Sequence, residues 1–322
     1  MLYHREAERR EQQVLLASLH GREITCVRRL GMLDVPGGAA LNIFITGSED
    51  TTACVLVLSE HSRAAVPLAR LSDHISSVRA LALASPTGPG DKGLSALLFS
   101  AGGRAQIECY RLDPASESAV ACQVTHVASH RLDEHWERKK NRHKLVKMDP
   151  ETRYMSLSVV PGTSTGQLPM PWKFLAAACS DASVRLFGLL EAARKLVLVA
   201  ESVQHQRCVL KGEGAAVRHT RAGEESCGVN SLHIHETPEG QYLVASGSDD
   251  GSIHLCLLEV ALGGGKATTG MCLRVLERVA RPCAHAAHVT GIRPGSQASS
   301  LLLVGTWQAH PSPVLGAALG CA

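Results

Sequence analysis

The stretch LVASGSDDGSIHLCLL, residues 243–258, decides the fold. It is an apolar run, a small-residue step at Gly247, a polar turn around Asp250 and then an alternating apolar run. Period-two alternation on both sides of a short polar turn is the pattern of a β-hairpin. Three further stretches repeat it in step: IFITGSEDTTACVLVL (43–58), LLFSAGGRAQIECYRL (97–112) and FLAAACSDASVRLFGL (174–189). Gly47, Ala101 and Ala178 stand where Gly247 does. Asp50, Arg104 and Asp181 align with Asp250, and Leu56, Tyr110 and Phe187 align with Cys256 six residues further on. One such unit cannot bury both of its faces, so repeated units are stable when they stack radially as blades. The predicted strand–turn–strand units are 41–58, 94–112, 172–189 and 241–258.

A second signal precedes the hairpins. His20 lies four residues before Ile24, His74 before Val78, His205 before Val209 and His285 before Val289, while Glu225 holds that place before Val229. This pattern resembles the WD repeat, in which a histidine in the leading loop hydrogen-bonds the turn aspartate. A hydroxyl on the second strand and a tryptophan on the third complete the network. The resemblance implies an all-β WD-repeat β-propeller with four recognisable repeats and two partial ones. It gives a structural role to His20, Asp50, His74, Asp181, His205, Asp250 and His285. Thr46, Ser100 and Ser246 supply the hydroxyl, whereas Ala177 cannot, and the tryptophan is absent from all four repeats.

The pattern breaks twice. His205–Lys211 opens a repeat but a polar stretch follows, and His285–Ile292 opens another before a Gly/Ala/Ser/Pro-rich tail. The expected organisation is propeller blades over 1–204 with an insertion at 130–153, and an interrupted blade and polar linker over 205–227. A further blade and the start of the next occupy 228–292, and an irregular tail 293–322. The propeller is expected to be incomplete or open, as in a shortened form of a longer protein, with residues 212–227 and 294–322 irregular.

Composition excludes several functions. The chain has 322 residues, 45% apolar but only 3% aromatic, so its core is built from Leu, Val, Ala and Ile. A net charge of +3 does not by itself imply nucleic acid. Eleven cysteines are scattered without a CxxC pair, and Cys26, Cys54, Cys109 and Cys179 fall on predicted strands. That usage reads as buried thiols in a reducing, cytoplasmic setting. The charged start of the chain has no apolar signal region, and no run approaches the ~20 apolar residues of a membrane span, so no membrane partner is expected. GxSxG, HExxH and GxGxxG do not occur. The CAHAAH cluster (283–288) lacks a second ligand pair for zinc, and GGGKATT (263–269) lacks the first glycine and the hydroxyl of a phosphate loop. Nothing assembles an acid, a base and a nucleophile, so the expectation is a binding scaffold with no catalytic residues, metal or cofactor.

One segment stands out by charge. HRLDEHWERKKNRHKLVKMDPETR (130–153) interrupts the third repeat, and from Arg138 to Lys147 it holds six Lys/Arg and no acid. Such a run is either a solvated charged loop or helix, or a phosphate contact in which flat rings stack on unpaired bases. The candidate RNA-binding residues are Trp136, Arg138, Lys139, Lys140, Arg142, His143, Lys144, Lys147 and Arg153. DEHWERKKNRHKLVKMDPETRYMSL (133–157), IFITGSEDTTACVLV (43–57), LAAACSDASVRLF (175–187) and PCAHAAHVTG (282–291) resemble the C-terminal part of a family of much longer WD-repeat proteins. Residues 212–227 and 293–322 fall outside that similarity. Members of the family partner a SAM-dependent ribose 2′-O-methyltransferase that modifies the wobble nucleotide of tRNA anticodons. The resemblance therefore implies two partners, tRNA and the methyltransferase, with other proteins meeting the propeller surface. The alternative is a general WD-repeat protein–protein adaptor in signalling or ubiquitin ligation, since propellers serve both purposes.

Overall fold

The computed structural model describes residues 2–5, 12–16, 19–33, 41–59, 64–85, 94–115, 120–132, 135–138, 145–148, 151–161, 172–203, 208–209, 218–219, 228–237, 239–249, 251–262, 271–281, 292–294 and 317–319. Two compact units, 1–151 and 152–322, divide the chain. The first opens with a short antiparallel pair, β1 (Leu2–Arg5) and β2 (Gln12–Leu16). Blade 1 follows as β3 (Ile24–Leu33), β4 (Leu41–Ser48), β5 (Ala53–Ser59) and β6 (Ala64–Leu71). Blade 2 is β7 (Val78–Ala84), β8 (Ala96–Gly102), β9 (Gln106–Ala115) and β10 (Ala121–Arg131). A two-stranded ladder, β11 (His135–Arg138) and β12 (Leu145–Met148), ends the unit.

In the second unit, blade 3 is β13 (Tyr154–Val159), β14 (Trp172–Cys179), β15 (Ser183–Leu190) and β16 (Lys195–Val203). After the pair β17 (Cys208–Val209) and β18 (Arg218–His219), blade 4 runs through β19 (Val229–Glu236), β20 (Tyr242–Ser248), β21 (Ile253–Leu262) and β22 (Met271–Arg281). β23 (Ile292–Pro294) pairs in parallel with β24 (Ala317–Leu319). The last two short ladders fall within or beside the segments expected to be irregular; the remainder of those segments lies outside the described residues.

All four predicted hairpins are the two middle strands of a blade, each an antiparallel meander. Among the described residues no helix is long and apolar enough to cross a membrane. Alternation sets the packing. Ile43 and Ile45 of β4 lie opposite Val57 and Val55 of β5, and these four share one buried cluster with Val78, Leu81 and Leu98 of blade 2. Leu56 and Cys54 point to the other face, where they pack with Leu19 and Ala65. Blades 3 and 4 are joined in the same way by Ala176 and Ala178 against Val229, Leu232, Ile234 and Val244. Each fully buried Val, Leu or Ile contributes about 1.5–3 kcal/mol, so a stack of such faces is the main stabilising term. The small-residue step at Gly47 has a packing cause, because a Cβ there would meet Cys26 Sγ and Val78 Cγ1 at 2.7 Å.

Candidate functional site

A single backbone hydrogen bond recurs in every blade at the end where the hairpin turns lie. The residue before the turn position donates its N–H to the carbonyl just ahead of the first strand. The four bonds are Glu49 to Glu23 (3.0 Å), Gly103 to Ser77 (3.1 Å), Ser180 to Arg153 (2.9 Å) and Asp249 to Gly228 (3.0 Å). Since it uses only main chain, the bond survives any side chain at these places. The side-chain ties built around it differ from blade to blade.

Blade 1 carries the histidine, hydroxyl and aspartate of the tie that the repeat resemblance implies, with Leu56 where the tryptophan would stand. His20 Nε2 meets Thr46 Oγ1 at 2.9 Å, and its Nδ1 lies 3.0 Å from Thr52 Oγ1 and 3.3 Å from Asp50 Oδ2. Asp50 Oδ2 accepts from the Gly21 N–H at 2.7 Å, while its Oδ1 accepts from the Thr52 hydroxyl at 2.6 Å and the Thr52 N–H at 3.0 Å. Burial by itself would push the Asp50 carboxyl up, but the Thr52 and Gly21 bonds outweigh it and hold it well below the usual carboxylate range. Burial also lowers the His20 imidazole, against the pull of Asp50.

Blade 2 has Arg104 at the turn, with φ of 59°, inside a one-turn 3-10 segment, Gly103–Ala105. Its tie moves two residues along, to Gln106. The Gln106 Oε1 accepts from the Ile75 N–H at 3.0 Å, the bond that Asp50 makes with Gly21 in blade 1. The Gln106 Nε2 donates to the Asp73 carbonyl at 2.9 Å and to Glu108 Oε1 at 2.6 Å. His74 still meets its hydroxyl, Ser100, through Nε2 at 2.7 Å. Tyr110 stands where the repeat has tryptophan and donates its hydroxyl to Asp73 Oδ2 at 2.8 Å. Glu108, 3% exposed, accepts from His126 Nε2 at 2.8 Å; burial raises its carboxyl above the ordinary range although His126 and Gln106 oppose this.

Blade 3 solves the problem with a cation. The hydroxyl position is Ala177, directly opposite Arg185 in the ladder. The Arg185 guanidinium is buried, and its Nη2 donates to Asp181 Oδ2 at 2.7 Å and Glu201 Oε1 at 2.9 Å. Asp181 also accepts from Thr152 Oγ1 at 3.0 Å and Ser183 Oγ at 2.5 Å. Burial pushes the Asp181 carboxyl up, and the Ser183 and Arg185 bonds more than reverse this. In blade 4, Asn230 Nδ2 donates to Asp249 Oδ1 at 2.5 Å, and Ser246 is fully buried. Asp250, His205 and His285 lie outside the described residues.

The basic insertion is a paired ladder at its base. β11 and β12 place Trp136 opposite Lys147 and Arg138 opposite Leu145. The joining residues Lys139, Lys140, Arg142, His143 and Lys144 lie outside the described residues, and of the strand side chains only the backbone register is given. Arg153 is exposed in the leading loop of blade 3, with its N–H donated to Ser180 Oγ at 2.9 Å. A further feature was not legible in the sequence. The leading loops of blades 1 and 2 and the turn of blade 1 enclose an open depression of about 670 Å³ lined by Arg22, Glu49, Thr51, Ile75, Ser76 and Ser77, among others.

Repeated four-stranded meanders, each fastened by a loop-to-turn tie, define the WD-repeat β-propeller class. The WD domain, G-beta repeat family matches residues 217–256. The mouse protein named tRNA (34-2′-O)-methyltransferase regulator WDR6 is 41% identical over 373 residues, covering 88% of this chain and 33% of that protein. Its human counterpart is 40% identical over 367 residues, covering 88% and 32%. The chain thus spans about a third of the length of the curated relatives it matches. Among solved structures, the crystal structure of the Chaetomium thermophilum Sqt1 is similar over 73% of this chain and 44% of its own, at 19% identity and a TM-score of 0.39. The chain belongs to the WD-repeat proteins and, within them, is a relative of WDR6.

Proposed function

We propose that this chain is a non-catalytic scaffold that binds tRNA and a SAM-dependent ribose 2′-O-methyltransferase, and so supports 2′-O-methylation of the anticodon wobble nucleotide in the cytoplasm. The observation that carries the reading is the 41% identity, over 88% of the chain, to a protein named as a regulator of tRNA 34-2′-O-methylation. The run of six cations between Arg138 and Lys147 supports the RNA half of it. A run of cations neutralises successive phosphates, and an aromatic residue such as Trp136 is the kind that stacks on an unpaired base. Arg153, exposed in the leading loop of blade 3, is a further candidate phosphate contact. The scaffold holds and orients the substrate, and the methyltransferase supplies the chemistry.

The test is reconstitution. The purified chain with tRNA and labelled methyl donor gives no transfer alone, and adding the methyltransferase gives transfer above the enzyme's own rate. Label transfer by the pure chain, or no effect on the enzyme, overturns the reading. Replacing Arg138, Lys139, Lys140, Arg142, Lys144 and Lys147 with Ala lowers the salt slope of tRNA binding by up to about 4–5. An unchanged slope returns the segment to a solvated charged stretch.

A further inference from the structure

We infer that the last strand of blade 2 pairs edge to edge with the same strand of a second copy of this chain, joining two blades into one continuous antiparallel sheet. This goes beyond the RNA reading and does not depend on it. β10 is the terminal strand of its sheet, bonded to β9 on one side, and among the described residues no strand pairs with its other side. A strand edge carries a row of outward main-chain N–H and C=O groups, and it templates another strand unless something blunts it. The last strands of the other three blades are blunted. β6 holds Pro67 and Arg70. β16 holds Lys195 and Glu201. β22 holds Arg274, Glu277, Arg278 and Arg281. β10, ACQVTHVASHR, has no proline and no Lys, Asp or Glu, and its one arginine is its final residue, Arg131. Its bulge falls between His126 and Ala128, so residues 121–126 keep an unbroken one-to-one register with β9.

The occupant is a second copy because the stretch Ala121–Thr125 is complementary to itself. Antiparallel pairing centred on Gln123 sets Gln123 opposite Gln123 of the second copy, Ala121 opposite Thr125, and Cys122 opposite Val124. A two-fold operator makes each of these contacts twice. Alternation then sorts the pairs by chemistry. Cys122 and Val124 are half-buried and pack against the cluster that blade 2 shares with blade 1. On that face a thiol, which behaves as a small apolar group, meets an aliphatic side chain. Ala121, Gln123 and Thr125 are exposed on the other face. There each Gln123 amide brings both a donor and an acceptor to its counterpart. No like charges meet, since residues 121–125 carry none. For the same reason a charged peptide finds nothing to match on this stretch, and nucleic acid finds no cation to neutralise its phosphates. Pairing over Ala121–Thr125 is small beside the ~800 Å² per partner of a standard interface, so the dimer is weak and forms as concentration rises.

The experiment is analytical sedimentation of the purified full chain over a dilution series, with and without ribonuclease, repeated with Gln123→Lys and Gln123→Glu. Gln123 is exposed, and circular dichroism confirms that the variants keep their strands. The wild type rises toward twice the monomer mass with concentration, and ribonuclease leaves this unchanged. Each variant sets like charges face to face at the two-fold and weakens dimerisation about fivefold or more. An equal mixture of the two variants brings opposite charges together there and restores the dimer. A monomer at every concentration, a dimer indifferent to both variants, or a mixture no better than either variant alone overturns the proposal. Loss of the dimer on ribonuclease treatment overturns it in favour of bridging by RNA. Replacing the cations of 138–147 with Ala leaves dimerisation unchanged, so failure here and failure of the RNA reading are told apart.

Discussion

Blades 1 and 2 begin alike and close differently. Each has a leading-loop histidine facing a hydroxyl on its second strand, His20 with Thr46 and His74 with Ser100. Each has the main-chain bond from turn to leading loop. In blade 1 the next link is the carboxylate of Asp50, and in blade 2 it is the amide of Gln106, two residues further along. What the repeat requires is an acceptor oxygen aimed at the N–H that follows the histidine. Which residue carries that oxygen is free to change, because alternate positions of a strand point to the same face and a longer side chain covers the extra distance.

The largest effect expected from this difference lies at the position after the small-residue step. In blade 1 it is Ser48, whose hydroxyl donates to the Arg22 carbonyl at 3.3 Å. In blade 2 it is Gly102, where a Cβ would sit 1.7 Å from the Ser77 carbonyl oxygen. That oxygen is main chain and already accepts from Gly103, so it has nowhere to go. Gly102→Ala is expected to destabilise by about 3 kcal/mol or more, and Ser48→Ala by under about 1 kcal/mol. Urea unfolding checks both, and equal losses would show that the two leading loops are equally adaptable.

Next come the acceptors. Asp50→Ala strands the Gly21 and Thr52 N–H groups and leaves the Thr52 hydroxyl with His20 alone, and Gln106→Ala strands the Ile75 N–H and leaves Glu108 with His126 alone. Each is expected to cost about 2 kcal/mol, with the two losses adding, because the ties share no partner. Amide exchange at Gly21 rises only in the first variant and at Ile75 only in the second. Exchange rising at both in either variant would mean that the ties act as one unit. A finer test converts one blade into the other. Arg104→Asp with Gln106→Thr gives blade 2 the turn chemistry of blade 1, and the coupling between the two changes is expected to be about 1 kcal/mol in favour of the pair. Independent effects would refute the view that the two positions exchange one role.

The same contrast explains how much was legible in the sequence. The hairpins, His20, His74, Thr46, Ser100, Asp50 and Asp181 are legible by spacing, since spacing is what a ladder of fixed register preserves. Gln106 and Arg185 are not legible in this way, because they replace a missing partner by reach and not by position. Where the turn aspartate or the second-strand hydroxyl is absent, a long polar residue two or four places beyond the turn lies on the same face. Gln106 follows Arg104 by two, and Arg185 follows Asp181 by four and faces Ala177. The depression was out of reach of such reading altogether. Arg22, Thr51 and Ile75 are far apart in the chain, and no pattern within one repeat brings them together.

The smallest effect is one of pH, and it separates the two histidines. His74 is 5% exposed, its Nε2 meets Ser100, and its Nδ1 has no partner among the described residues. Burial brings it down to about 4, with Asp73 opposing. An unfolded chain has a histidine titrating near ~6.5, so between that value and about 4 the unfolded state binds more protons than the folded one. Stability is therefore full above the unfolded value, declines as pH falls through this window, and levels off below about 4. Lowering the pH from 7.5 to 5.5 is expected to cost about 1 kcal/mol through His74. His20 is lowered in the same direction, but there the Asp50 carboxylate resists the fall and shares the proton's charge. Asp50 adds its own acid loss only below the ordinary carboxylate range, because its hydrogen bonds hold it down. His74→Gln keeps a donor for Ser100 without the titration. Urea unfolding of wild type and His74→Gln at pH 7.5 and 5.5 should show the wild type losing about 1 kcal/mol more than the variant. An equal loss in both would mean that His74 is reached by water and that the tie of blade 2 is as open to protons as the surface.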